Sequence, residues 1–315
     1  MAHNIIVIAE HSKGKLDDIT FEMLGKGKEL AAATGGQLIA VLLGSGAKDL
    51  AGQLGAAGKV VYCDHASLAE FNPEAYARTL AAIVPGQAPG MVLVANTSMG
   101  MDIAAALSVD LDMPLVAYAN AISGSSATSQ LYGGKVNVES SWTGLPLVVS
   151  VLPGSFPAAA GMGAAAPAVE DAAAPDLSNL KVQFKKRIEP EGGDVDITQQ
   201  EVLVSIGRGI QSDENIPMAQ ALADKLGGAL SSSRPIVDNK WLPKTRQVGK
   251  SGLKVKPKVY LALGISGAPE HWEGMKDAEC IIAINTDPKA PIFGFAHYGT
   301  TADLFDVVPA ITGML

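Results

Sequence analysis

The sequence predicts an α/β protein of two domains. An N-terminal domain on a mainly parallel sheet spans residues 1–188, a linker follows at 189–200, and a doubly wound C-terminal domain spans 201–315. Three observations carry this. Short apolar runs alternate with helix-forming stretches in both halves, the pattern of βαβ units and a parallel sheet. A polar stretch, Glu189-Pro190-Glu191-Gly192-Gly193-Asp194, interrupts the alternation. The last part of the chain, from Val259 to Leu315, sets glycines and polar residues where apolar strands end.

In the first half, the apolar runs at 5–8, 37–43, 60–63, 91–95 and 115–118 predict strands of the kind a parallel sheet buries on both faces. Residues 16–34 predict a helix closed by Gly35-Gly36, glycine being the residue that adopts a left-handed cap. Asn72-Pro73 predicts the start of a helix running to 84, with asparagine as cap and proline in the first turn. Residues 131–152 are more polar and predict an antiparallel extension. Residues 153–175 are rich in alanine, glycine and proline, including Gly161-Met162-Gly163, and predict a flexible or surface-running connection. A more ordered stretch is expected at 180–188, around Lys185-Lys186-Arg187.

The second domain opens with a strand at 201–205 that meets Ile206-Gly207-Arg208-Gly209. A helix is expected at 216–226, capped by Asp213 or Asn215 and closed by Gly227-Gly228. A short strand at 229–232 delivers Ser233 and Arg234 to its end. The strand at 259–263 breaks at Gly264 and runs through Ser266, Gly267, Ala268, Pro269, Glu270 and His271 into a helix. A glycine turn entering a helix exposes free backbone N–H groups and the positive dipole end, and so favours anions. The strand at 280–284 ends at Asn285-Thr286-Asp287-Pro288. A last strand at 291–298 is expected to turn at Gly299 into Thr300-Thr301-Ala302-Asp303-Leu304, a capping-box-like helix start. Several strand ends in one region predict a nucleotide or dinucleotide cofactor lying across a parallel sheet.

Composition narrows the function. At 315 residues, 48% hydrophobic and 18% charged, the chain is globular and long enough for two cores. A formal net charge of −8 and the lack of a basic stripe argue against nucleic-acid binding. Cys63 and Cys280 sit in or beside apolar runs and predict buried free thiols, suited to a reducing compartment. His3, His11, His65, His271 and His297 are scattered without metal-ligand spacing or a hydrolytic motif. No apolar run nears the ~18–20 residues that cross a bilayer, and no leader pattern opens the chain. A cytoplasmic protein without membrane insertion is expected.

Two arginines and one loop stand out. Arg208 lies between glycines straight after a strand, which lets backbone and ligand approach closely; its plain alternative is an exposed turn arginine. Ser233-Arg234-Pro235, taken alone, reads as a polar turn. Gln247-Val248-Gly249-Lys250-Ser251-Gly252 looks like a phosphate-binding loop, but the required first glycine would fall at Lys244, so the pattern fails and argues against an NTPase.

The segments GISGAPEHWEGMKDAECIIAINTDPKAPIF, at 264–293, and HYGTTADLFDVVPAI, at 297–311, resemble the C-terminal FAD domain of electron transfer flavoprotein alpha subunits. Gly207-Arg208-Gly209, Ser233-Arg234-Pro235 and the 247–252 loop match that family's other cofactor segments in order and spacing, and the N-terminal half resembles its first domain more loosely. The resemblance implies noncovalent FAD contacted by Arg208, Ser233, Arg234, Val248, Gly249, Lys250, Ser251, Ser266, Gly267, Ala268, Pro269, Glu270, His271, Asn285, Asp303 and Leu304. Within that set it places Arg234 against the flavin ring, where a cation raises the reduction potential. It places Ser251 where a threonine bonds flavin N5, and His271 where an imidazole N–H donates to a ring carbonyl. Asn285, Asp303 and Leu304 match contacts to the ADP portion; Asp303 is equally the acid of a helix cap. Pro269-Glu270 departs from the family's usual apolar–glutamine pair, which puts those two side-chain contacts in question. Lys250 stands where glutamine is common, and His297, replacing an acid, receives no role.

The function implied is that of an electron carrier rather than a catalyst on its own. It would pair with an electron transfer flavoprotein beta subunit, take electrons from flavoprotein dehydrogenases such as those of fatty acid beta-oxidation, and pass them to an acceptor oxidoreductase. Two alternatives stay open: a subunit of an electron-bifurcating complex that oxidises NADH through a second FAD in the beta subunit, and a nucleotide-binding module without redox function.

Overall fold

The computed structural model describes residues 3–132, 136–163, 165–187 and 195–315. They form two compact units that divide between Lys186 and Arg187. The polar turn expected at 189–194 and Ile188 lie outside the described residues. A short turn, Ile197–Gln199, capped by the Asp196 side chain, precedes the second unit's first strand.

In the first unit, β1 (Asn4–Ile8), β2 (Leu38–Gly44), β3 (Lys59–Asp64) and β4 (Pro89–Ala95) are the expected apolar runs, three of them lengthened by one or two residues and β2 shifted by one. β5 (Leu115–Ile122), β6 (Ser126–Leu131), β7 (Val136–Ser141), β8 (Leu147–Val151) and β9 (Ala168–Asp171) complete a nine-stranded sheet in the order β9-β3-β2-β1-β4-β8-β5-β6-β7. The neighbours from β9 to β5 are parallel, and β5-β6 and β6-β7 are antiparallel.

The strands alternate sides. Ile5 and Val7 join the core formed with Met23, Leu24 and Leu30 of α1 (Asp18–Thr34). Ile6 and Ile8 join the core with Tyr76 and Leu80 of α2 (Pro73–Ile83) and Ile103 and Leu107 of α3 (Ser98–Asp110). Burial on both faces is why these strands read as continuous apolar runs. Gly35 takes the left-handed cap of α1 at φ 68°, and the Asn72 side chain accepts from Glu74 N and Ala75 N to start α2.

Three expectations change here. The antiparallel extension holds for β6 and β7 only; β8 lies parallel between β4 and β5 with all its residues buried. Its Leu-Val-Val-Ser-Val is as apolar as its neighbours, and treating 131–152 as one polar stretch hid it. The α3 helix was not expected, because apolar residues lie on both its faces, Ile103 and Leu107 buried and Met101 and Val109 exposed, and leave almost no one-sided pattern; Thr97 caps it by accepting from Gly100 N. Finally, 153–175 is not a loose connection. The Glu22 carboxylate accepts from Gly154 N at 2.9 Å and Phe156 N at 3.2 Å, the turn Ala158–Gly161 lies on α1, and β9 pairs with β3. A Cβ on Gly161 would sit 1.8 Å from Phe21 O, so small residues here serve close packing. Beyond it, Val182 is tied down by its amide to Glu74 and its carbonyl to Asn72, without regular structure.

The second unit is a five-stranded, wholly parallel sheet in the order β11-β10-β12-β13-β14, from β10 (Val202–Ile206), β11 (Ala229–Ser232), β12 (Val259–Leu263), β13 (Cys280–Ile284) and β14 (Tyr298–Thr300). Its helices are α4 (Ile216–Lys225), α5 (Arg234–Asp238), α6 (Pro269–Met275) and α7 (Leu304–Met314). Asn215 holds the cap position of α4 but makes no side-chain cap bond, and Asp213 does not cap it. The Ser212 side chain caps a preceding turn that runs straight into the helix, and Asn215 donates instead to Ile210 O. The last strand is shorter than expected: Pro291–Gly294 is a helical turn, and Gly299 lies inside β14, where a Cβ would meet the Phe293 ring at 2.7 Å.

Candidate functional site: a cavity at the strand ends of the second unit

The chain leaves β10, crosses to β11 on one side, and then returns to β12 on the other. Order therefore reverses between β10 and β12, and in open parallel sheets ligands bind at that reversal, beyond the carboxyl ends of the strands. The loops leaving these two strands meet there. Gly209 N donates to Gly264 O at 3.1 Å, and a Cβ on Gly209 would lie 2.5 Å from the Gly264 Cα. Gly264 itself needs φ +61°, which glycine adopts without strain. The Gly-Arg-Gly spacing thus lets two strand-end loops touch while Arg208 projects from between them.

A cavity of about 940 Å³ opens at this point, lined from all the strand-end loops: Arg208 after β10, Ser233 and Arg234 after β11, Ser266 after β12, Asn285 after β13, and Asp303 and Leu304 after β14. The 247–252 loop closes another side with Val248, Gly249, Lys250 and Ser251, and the start of α6 contributes Ala268, Glu270 and His271. Every site residue expected from the sequence lines it except Gly267 and Pro269. Gly267, at φ +82°, turns its Cα against the Ile292 backbone, where a Cβ would be 2.4 Å from Ile292 N. Pro269 is the first residue of α6, and its role is to start that helix.

The side chains already have partners that qualify their roles. Asn285 donates to Ile265 O at 2.9 Å and accepts from Asp287 N at 2.9 Å, tying β13 to the loop after β12. Asp303 is the cap of α7, accepting from Phe305 N. Arg234 Nε lies 3.3 Å from Asp238 one turn on, an exposed pair of little energetic weight. His271 differs most from expectation. Nδ1 donates to Val248 O at 3.1 Å and Nε2 faces the Tyr260 hydroxyl at 2.9 Å, so neither nitrogen is left for a ring carbonyl in the cavity. Burial pulls it down from 6.5 to about 4, so the ring is neutral at physiological pH.

Sequence reasoning missed Gln247, which lines the cavity, is buried, and donates from Nε2 to Ser251 Oγ at 3.0 Å. Its signal was its place at the head of the 247–252 loop. Gln211 and Thr286 line the wall as well, and no sequence pattern marked them. Among the described residues no cluster of His, Cys, Asp or Glu holds metal-ligand geometry, and no helix is long and apolar enough to cross a membrane.

A parallel sheet with such a cavity at its chain reversal, walled by cations and glycine turns, is the binding unit of a doubly wound nucleotide-cofactor protein. Residues 5–177 match the model of the electron transfer flavoprotein domain, and residues 196–276 match that of the electron transfer flavoprotein FAD-binding domain. The electron transfer flavoprotein subunit alpha of Methylophilus methylotrophus is 35% identical, covering 99% of this chain and 98% of its own. The acryloyl-CoA reductase electron transfer subunit beta of Anaerotignum propionicum is 35% identical over 97% of this chain and 94% of its own. Subunit LctC of the lactate dehydrogenase (NAD(+),ferredoxin) of Acetobacterium woodii is 31% identical over 99% of this chain and 76% of its own. This chain belongs to the electron transfer flavoprotein alpha-subunit family, a family of flavin-binding electron-transfer proteins.

Proposed function

We propose that the second unit holds FAD noncovalently and that the chain works as the alpha subunit of a two-subunit electron carrier. It would receive electrons from flavoprotein dehydrogenases, such as those acting on acyl-CoA, and deliver them to an acceptor oxidoreductase. The supporting observation is the cavity itself, which draws all the expected residues but Gly267 and Pro269, from five strand ends and one loop, into a single space. The donor set suits the group. Arg208, Arg234 and Lys250 offer three positive charges to a dinucleotide that carries two phosphates, and glycine turns bring backbone within reach.

When bound, FAD supplies the capacity to take up and release electrons. The chain's own part is positioning and electrostatics. Arg234 sets a fixed positive charge on the cavity wall, favouring added negative charge there. Ser251 accepts from Gln247, which leaves its own proton free to be donated into the cavity. Leu304, buried at the start of α7, gives an apolar contact, and the neutral His271 contributes no charge.

The test is to produce the chain with its beta subunit, release the cofactor by denaturation and identify it. FAD bound to a yellow complex is expected; a colourless complex, even after incubation with FAD, overturns the reading and leaves a module without redox function. The likeness to LctC, a subunit of an NAD(+)- and ferredoxin-linked dehydrogenase, favours a second reading as part of an electron-bifurcating complex. Two FAD per heterodimer and reduction by NADH select that reading; a single FAD with no response to NADH selects simple transfer.

A further inference from the structure

The loop that leaves β10 holds one residue in a backbone conformation that side chains avoid. Gln211 has φ 67° and ψ −43°, outside the left-handed helical well. Ser212 N donates across it to Ile210 O at 2.8 Å. This is the γ-turn of positive φ, the rare and strained member of its class.

The turn is pinned on both sides. Ile210 is fully buried in the core that holds Leu263, Ile284, Leu304 and Val308. Its carbonyl accepts from Ser212 N and again from Asn215 Nδ2 at 2.9 Å. Gln211 N donates back to Arg208 O at 3.1 Å, and Ser212 Oγ accepts from Glu214 N to cap the next turn. Such conformations persist only where their surroundings over-determine them, and they cluster at ligand sites. A glycine would take this turn without strain, as Gly207 and Gly209 could testify two and four residues earlier, yet the position carries a carboxamide. Gln211 is exposed and lines the cavity beside Arg208 and Gly209. The turn therefore fixes the direction of a side chain that offers the cavity both a donor and an acceptor.

Its place in the wall says which part of a ligand it meets. Val248 and Ile265 belong to the core on the face of the sheet that carries α6 and the 247–252 loop. Ile210, Ile284 and Leu304 belong to the core on the other face, with α4 and α7. Gln211 thus stands on the α7 side, across the sheet from Ser251 and Lys250. A dinucleotide laid over the strand ends with its ring among the residues of that loop brings its other half to this side. Two polar side chains there already serve the fold: Asn285 through Ile265 O and Asp287 N, and Asp303 through Phe305 N.

We propose that Gln211 is a cofactor-binding residue that hydrogen-bonds the adenosine diphosphate half of FAD, and that the strained turn aims it there. This rests on the cavity holding a flavin, as proposed above. Two variants test it in the complex with the beta subunit. Gln211→Ala keeps the strain and loses the carboxamide, and Gln211→Gly loses both. Each should weaken FAD binding about five- to tenfold, the net worth of one neutral hydrogen bond. ADP, competing with FAD for the flavin-free complex, should weaken by the same factor. The flavin midpoint potential and visible dichroism should stay as in the native complex. Flavin-free Gln211→Gly should melt a few degrees above flavin-free Gln211→Ala, because the strain is gone.

Unchanged FAD affinity in Gln211→Ala overturns the proposal. An affinity loss that comes with a shifted midpoint potential puts the side chain at the ring and overturns the assignment to the other half. A Gln211→Gly complex that melts no higher than Gln211→Ala removes the aiming role of the turn. Should one variant fail to assemble with the beta subunit, the other still reads both affinities. A native complex that stays colourless with added FAD overturns the cofactor reading together with this one, whereas a yellow complex whose affinity ignores Gln211 overturns this one alone.

Discussion

At the scale of single residues, charge placement decides behaviour. Arg234 lines the cavity with its guanidinium only loosely engaged by Asp238 at 3.3 Å. Arg234→Ala should lower the flavin midpoint potential by about 40 mV, the ~1 kcal/mol of a unit charge at contact distance in water. An unchanged redox titration would remove Arg234 from the tuning role. In the first unit, Glu10 is 3% exposed at the end of β1, where it accepts from Thr97 Oγ1 at 2.7 Å, and burial pushes it from 4.5 up to about 7. The folded state then holds the proton more tightly than the unfolded chain, so stability falls as pH rises from about 4.5 to 7. Glu10→Gln should remove that loss and gain up to about 3 kcal/mol at pH 8 relative to pH 4. Urea unfolding at the two pH values checks it, and parallel curves for variant and native protein count against it. Most of the cavity residues were legible because they stand after a strand or in a glycine-bearing loop, whereas Gln211, Gln247 and Thr286 were not. The engagement of His271 was not, since its partners Tyr260 and Val248 are brought to it by β12 and the loop, which sequence spacing does not reveal.

At the scale of elements, strands buried on both faces announced themselves, and segments made of small residues did not. The α3 helix and the 153–171 segment are both rich in alanine, glycine and serine, which leave little hydrophobic pattern. Their meaning lies in what they touch. Gly161 sits so close to Phe21 O that an added methyl group has nowhere to go. Gly161→Ala should therefore cost about 1–3 kcal/mol by overpacking, although alanine is a common residue in this very stretch. A denaturation midpoint equal to that of the native chain would show that the segment can lift off α1 freely. The β14 strand teaches the complementary point. An apolar, aromatic run from 291 was expected to be extended, but Pro291 and Gly294 bound a helical turn, and only Tyr298–Thr300 joins the sheet.

At the scale of the whole molecule, the two units have separate cores, and the cavity proposed to hold the cofactor is lined by residues of the second. Ligand binding stabilises what it binds. FAD at about a hundred times its dissociation constant should raise the stability of the second unit by roughly 2.7 kcal/mol and leave the first nearly unmoved. Hydrogen exchange resolved along the chain, with and without added FAD, reads both at once; equal protection in both units would contradict it. The first unit carries a consequence of another kind. On one side its sheet ends with β9, residues 168–171, which covers β3 from more than a hundred positions later in the chain. During synthesis the earlier strands therefore emerge with that border bare, and a growing polypeptide stopped short of Asp171 would offer it to any neighbouring nascent chain. The alanine-rich strap is thus also a seam, closed only when the ribosome has finished the last stretch of the unit.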